Sequence, residues 1–230
     1  MPRTIIIGDI HGCRDELLDL LAAIGHVTGD RVISVGDMVV RGPDPAGTVE
    51  LLRSLGALAV RGNHEERVIR ASDGHALHPA VSDMTRIAAY ALRAEHIEWF
   101  RSLPLWLDLP EHNARVVHAG VVPEIPIERQ AKEVLMTVRC IGHGGKPVSK
   151  REGKPWGKLY RGPPHIVFGH NAQEEPQIHK WATGIDTGCV YGGRLTAMVL
   201  LAEQSVPPRG SLRDVLVSVR ARRAYVSAQE

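Results

Sequence analysis

Five short motifs place an acid, an imidazole or an amide directly after a hydrophobic run: Asp9 and His11 in GDIHG, Asp37 in GDMVVRG, Asn63 and His64 in GNHE, His118 in HAG, and His170 in FGH. Singly, each has a plain explanation, since a Gly-Asp pair is usually a turn and a histidine after a strand is usually a hydrogen-bonded structural residue. Five such placements in one chain are poorly explained that way. Carboxylate, imidazole and amide oxygen together suit manganese, iron or zinc rather than the all-oxygen shells of calcium and magnesium. Asp9, His11, Asp37, Asn63, His118 and His170 are too many ligands for one open catalytic ion, so two divalent ions are expected, with Asp37 as their bridge. Paired ions about 3.5 to 4 Å apart acidify a bridging water and clamp the oxygens around phosphorus, which is the chemistry of phosphoester and phosphoanhydride hydrolysis.

Two further side chains sit close in sequence to these ligands. His64, next to Asn63, is placed to protonate a leaving oxygen, a task for a group that titrates near neutrality; a seventh ligand or a helix cap is the lesser reading. Arg41, four residues after Asp37, can reach the same phosphate with a planar two-pronged donor.

The elements that must carry these groups can be read from periodicity. Strands are expected at Thr4–Ile7, Arg31–Val35 and Ala57–Val60, and helices at Arg14–Ile24, at Pro45–Leu55 and from near Glu65. This alternation predicts an α/β fold with the active groups at the carboxyl ends of strands. A helical stretch over about Asp83–Arg101, a Pro-punctuated segment from Leu103 to Pro110, and strands at Ala114–Val117, Ile166–Phe168 and Leu195–Leu201 follow. The Gly-, Lys- and Pro-rich interval 141–164 has no period and reads as a long loop or lid. Trp156 and Tyr160 lie in it, and packing is a better expectation for them than stacking on a base. His75, His78, His96, His112, His143, His165 and His179 are expected to be structural or on the surface. One domain over 1–205 is expected, with 206–230 a peripheral basic segment whose charges form a solvated face.

Composition narrows the class. Hydrophobic residues at 43% and charged residues at 23% describe a packed globular chain, and a net charge of +2 is too mild to indicate nucleic-acid binding. Cys13, Cys140 and Cys189 are odd in number and show no CxxC pairing, so neither a disulfide framework nor a structural zinc site is expected; a reduced, cytoplasmic setting with no membrane association is.

GDIHG, GDMVVRG, GNHE, HAG and FGH, in this order, resemble the signature of the phosphoprotein-phosphatase branch of the calcineurin-like metallophosphoesterases. The resemblance implies a metal-bearing β-sandwich flanked by helices, the same six ligands, His64 as proton donor and Arg41 as phosphate clamp. It also implies Arg139 as a second phosphate arginine and Tyr191 as an aromatic residue closing the site. Protein phosphatases of this branch usually read GDxVDRG, whereas Val40 stands here in place of the aspartate that partners the histidine. The segments HAGVVP, GHNA and IDTGCVYGG are closer to symmetrical diadenosine tetraphosphatases. The implied activity is therefore symmetrical cleavage of a dinucleoside tetraphosphate, extending to nucleotide-capped RNA ends, with manganese the expected ion and iron or zinc acceptable. A protein serine/threonine or tyrosine phosphatase is the alternative.

Overall fold

The computed structural model describes residues 2–227. Strand β1 (Thr4–Ile7) leads into helix α1 (Arg14–Ile24), β2 (Arg31–Ser34) into α2 (Pro45–Ser54), and β3 (Leu58–Ala59) into α3 (Asn63–Ser72). Local chemistry sets these boundaries. Gly25 adopts a left-handed conformation (φ 62°) and returns its N–H to Ala22 O, closing α1. Pro45 opens α2 while the Asp44 carboxylate accepts the Gly47 N–H at 2.8 Å.

The chain continues through α4 (Pro79–Ala91), α5 (Ala94–Ser102), β4 (Trp106–Leu109), β5 (Ala114–Val117), α6 (Lys132–Thr137), β6 (Cys140–Ile141), β7 (Pro147–Val148), β8 (Lys154–Pro155) and α7 (Trp156–Leu159). It ends with β9 (His165–Phe168), β10 (Gln177–Ile178), β11 (Ala182–Gly184), β12 (Asp186–Thr187), β13 (Arg194–Leu200) and β14 (Leu216–Arg220). One sheet runs β12-β13-β1-β2-β3, with β14 also paired to β13; a second runs β10-β11-β9-β5-β4; β7-β6-β8 form a small third. In the first, β1 is parallel to β2 and antiparallel to β13, which places a returning strand beside the first one.

Burial explains the short apolar strands. Every residue of β1 is buried because both faces are covered. Ile6 packs with Ile33, Met198, Val116 and Val167 in the layer between the two large sheets, while Ile5 and Ile7 pack with Leu17, Leu20 and Leu52 under α1 and α2. Across the second sheet Ile166 and Phe168 point the other way, onto Trp156, Leu135 and Val138. This is the helix-flanked β-sandwich that the motif resemblance implied.

Four expectations need correction. The helical stretch over 83–101 is two helices, because Arg93 turns extended (ψ 161°) to start α5, its N–H donating to His96 Nδ1. The Pro-punctuated segment contains β4, paired along β5. The aperiodic interval 141–164 is shaped by β7, β8 and α7, and strands this short leave little periodicity to read. The stretch expected to be peripheral carries β14, whose five residues pair with Arg194–Met198, and Leu212, which is fully buried between the sheets. Its basic residues are outnumbered in effect by the few apolar ones that find a core.

Leu212→Ala should accordingly destabilise the fold by about 2 to 4 kcal/mol, the usual cost of an emptied leucine site. A urea midpoint within error of the wild type would show that 206–227 does not contribute to the core.

Candidate active site

The loops after β1, β2, β3, β5 and β9 converge at one edge of the sandwich. The first two are laced by backbone bonds from His11 N to Asp37 O and from Gly12 N to Met38 O, both 2.8 Å, and Gly169 N donates to His118 O at 2.8 Å. Such contact leaves no room for side chains at two points. A Cβ on Gly42 would lie 2.0 Å from His11 O, and one on Gly62 would lie 2.3 Å from Asp37 Oδ1.

Asp37 stands at the centre, 2% exposed. Its Oδ2 faces His64 Nε2 at 3.8 Å and His11 Nε2 at 3.9 Å, and its Oδ1 faces His118 Nε2 at 3.4 Å. His11, Asp37 and His64 therefore make one cluster able to hold a cation, and Asp37, His118 and His170 a second, with Asp37 common to both. Asn63 Oδ1 lies 3.1 Å from His118 Nε2 and belongs to the second. Asp9 is placed differently: its two oxygens accept the backbone N–H of His170 at 3.1 and 3.0 Å.

The ring orientations are set from outside. His118 Nδ1 is 2.8 Å from Val35 O and His11 Nδ1 is 3.2 Å from Val39 O, which puts the proton on Nδ1 and turns the Nε2 lone pair inward. Glu65, the last residue of GNHE, has a role the sequence reading missed. Its carboxylate accepts N–H groups of Asp37 at 2.9 Å, Met38 at 2.8 Å and Gly62 at 2.9 Å, tying the β2 loop to the start of α3. A Glu three residues after a helix N-cap is a recognisable capping signature, so a signal existed. His11, Asp37, Val40, Arg41 and His170 all have φ between 50° and 76°, a strained region for residues with a Cβ, and the lacing just described holds them there.

Charge is concentrated here. Burial, then the neighbouring Asp186 and Asp37 carboxylates, push Asp9 well above the usual carboxylate range. Burial raises Asp186 to about 6 and Glu65 to about 7, with Asp37 adding to each. Asp37 itself is held low in spite of burial, because His118, His64 and His11 surround it. Burial draws His11 down to about 4, which leaves its lone pair free to be donated, and takes His64 well below its ordinary value.

The cluster opens into a cleft of about 630 Å³. Arg41, Arg139 and Tyr191 all line it, and the Arg41 guanidinium stacks 5.5 Å above the Tyr191 ring. Arg67, Lys150, Arg151 and Asp186 line it as well, none of them singled out from sequence. Asp186 followed the same rule as the others, an acid just beyond a strand, whereas Arg67 is one turn of α3 after His64 and is visible only once the helix exists. Trp156 is no base-stacking shelf: it is 2% exposed, donates its indole N–H to Ala119 O and packs on Phe168. Buried His112 and His165 are structural, bonded to Thr4 and Thr183 hydroxyls.

The family model described as calcineurin-like phosphoesterase matches residues 2–187. The chain belongs to that family. A bis(5'-nucleosyl)-tetraphosphatase PrpE [asymmetrical] of Oceanobacillus iheyensis is 31% identical over 84% of this chain and 86% of its own length. The protein of the same name from Geobacillus sp. is 32% identical over 84% and 88%. A crystal structure of a protein provisionally assigned as a diadenosine tetraphosphatase superposes with a TM-score of 0.81 at 34% identity, covering 96% of each chain. A yeast protein serine/threonine phosphatase, 16% identical with a TM-score of 0.58 over 100% of this chain and 81% of its own, shares the fold alone.

Metallophosphoesterases of this family work with divalent ions, and the side chains here suit them. Buried carboxylates oppose one another's ionisation, a conflict that bound cations relieve, and buried His64 Nδ1 and His170 Nε2 have no hydrogen-bond partner among the described residues. No described helix is long and apolar enough to cross a membrane.

Glu65→Gln replaces one acceptor oxygen by an NH2 that faces backbone donors. It should cost about 1 to 3 kcal/mol of stability and lower metal affinity by about 10- to 100-fold. Metal titration by calorimetry checks this, and unchanged affinity would remove Glu65 from any part in shaping the site.

Proposed function

We propose that this chain hydrolyses the polyphosphate bridge of dinucleoside tetraphosphates. The observation that carries the reading is the number of cations around the cluster: Arg41, Arg67, Arg139, Lys150 and Arg151 all line one cleft, more positive charge than a single phosphate ester calls for. The relatives' names point the same way and favour an off-centre cut, giving ATP and AMP, over the central cut that the motif resemblance implied. Nucleotide-capped RNA ends carry a similar bridge, but nothing in those names bears on them.

In this reading Asp9, His11, Asp37, Asn63, His118 and His170 hold two divalent ions, with manganese the proposed metal and iron or zinc compatible with the same donors. When bound, such ions supply an acidified water and neutralise charge on the phosphate. Arg41 and Arg139 orient the phosphate under attack, and Tyr191 fixes Arg41 by stacking. His64 delivers the proton to the departing phosphate oxygen. Val40 cannot assist it: the side chain is buried in the apolar cluster beneath α1 and α2. His64 instead has Arg67 Nη1 at 3.5 Å, a cation that works against its protonation.

Product analysis of diadenosine tetraphosphate after manganese loading should give ATP and AMP in equal amounts. ADP alone would restore the symmetrical reading, and an inert tetraphosphate beside brisk phosphate release from phosphopeptides would establish a protein phosphatase.

Arg67→Gln removes a positive neighbour, so the His64 pKa should rise. Since the acid works only while protonated, the basic limb of the kcat/KM profile should move to higher pH, with the acid limb moving less. An unmoved basic limb in the folded, metal-loaded variant would count against His64 as the donor.

A further inference from the structure

A second depression, of about 490 Å³, adjoins the catalytic cleft; the two share Arg151, Ala172 and Tyr191 and are therefore continuous. Its floor is the turn between β12 and β13, where Gly188, Gly192 and Gly193 present backbone alone. The turn is pressed against its surroundings, since a Cβ on Gly193 would lie 2.2 Å from Thr187 O. At the junction Arg151 is fixed by bonds to Asn171 Oδ1 at 3.0 Å and to Ala172 O.

The wall is formed by Arg194 and Arg220, and the register of β13 and β14 sets these two directly opposite each other. Like charges opposed across an antiparallel pair are destabilising. Glu175 relieves this only on one side: it lies 3.4 Å from Arg194 and is shared with Arg213 at 3.1 Å. Arg220 has no acidic partner among the described residues. Glu174 is the one acid lining the depression, against three arginines. An anion seated between Arg194 and Arg220 would remove their repulsion and reach Arg151 along the way to the metal cluster.

We propose that this depression is an anion subsite that takes the polyphosphate arm of the leaving nucleotide, the part of the substrate beyond the bond that is cut. The proposal rests on the dinucleoside-tetraphosphate reading and adds where the distal phosphates lie. Because the subsite recognises successive phosphates, a triphosphate arm gains more from it than a monophosphate.

Calorimetry on the manganese-loaded full chain tests this without relying on turnover. The probes are β,γ-methylene ATP, inorganic tripolyphosphate and AMP, at fixed free metal, on wild type and on Arg194→Gln/Arg220→Gln. Losing the charge-assisted contacts of both arginines should weaken the ATP analogue about 10- to 100-fold, that is by about 1.4 to 2.8 kcal/mol in total. AMP should change less than about twofold, and p-nitrophenyl phosphate turnover should be unaltered. Tripolyphosphate weakened as much as the analogue assigns the subsite to phosphate alone; a larger effect on the analogue assigns it to phosphate with nucleoside. Unchanged affinity for both polyphosphates, no binding of either to the wild type, or an equal loss for AMP overturns the proposal. If the double variant fails to fold, Arg220→Gln alone, at an exposed position, must show a smaller shift in the same direction. A wild type that binds the ATP analogue here but leaves diadenosine tetraphosphate intact would overturn the proposed function and keep the subsite.

Discussion

The structure is organised around a carboxylate, Asp37, taken almost wholly out of water and kept ionised. Removing a lone charge from water is costly unless partners replace the solvent. Here three imidazoles face its oxygens and the His64 N–H donates to Oδ1 at 3.0 Å. Everything near it follows from supplying those partners at once. The β1 and β2 loops must touch, α3 must begin at Asn63, and β5 and β9 must end together. The left-handed backbone at His11, Asp37, Arg41 and His170 is the local cost of aiming so many groups at one point. Lacing between loops and the Glu65 staple offset it.

Two layers of control can be distinguished. The inner groups have their ring tautomers fixed by backbone carbonyls, that of Val35 just past the end of β2 for His118 and that of Val39 in the following loop for His11, so imidazole orientation is tied to the laced backbone itself. The outer groups are cations on separate elements, with Arg41 after β2, Arg67 on α3, Arg139 before β6 and Arg151 beyond β7. Their spread around the rim favours an extended anion over a compact one.

Much of this was legible in the sequence for a physical reason. A strand buried on both faces is an unbroken apolar run, and a glycine beside an acid or imidazole marks where it stops, so Thr4–Ile7 with Asp9, or His165–Phe168 with His170, can be read locally. What was not legible depends on distance in the chain. Asp186 and Arg67 acquire meaning only when other loops arrive, and β14 is short, half-exposed and set in a basic segment, with the decisive contact made by Leu212 outside it. Cys13 and Cys189 show no pairing in their spacing, yet the fold brings their sulfurs and a Glu16 oxygen within 4.8 Å of one another. Val40 was legible as a departure but not in its consequence, since nothing in the sequence says that its side chain points into the core.

The pairing of β1 with β13, Thr4 opposite Leu200, bears on how the molecule comes into being. On the ribosome the first strand emerges long before the strand that flanks it, and Asp9 meets the His170 N–H only across 161 residues of chain. A nascent chain therefore holds Asp9, His11 and Asp37 without the imidazoles that complete their surroundings. Contacts of such sequence separation form late and make folding slow. The cluster around Asp37 can then be completed only after β9 and β13 have emerged, and shorter fragments lack the groups that close it.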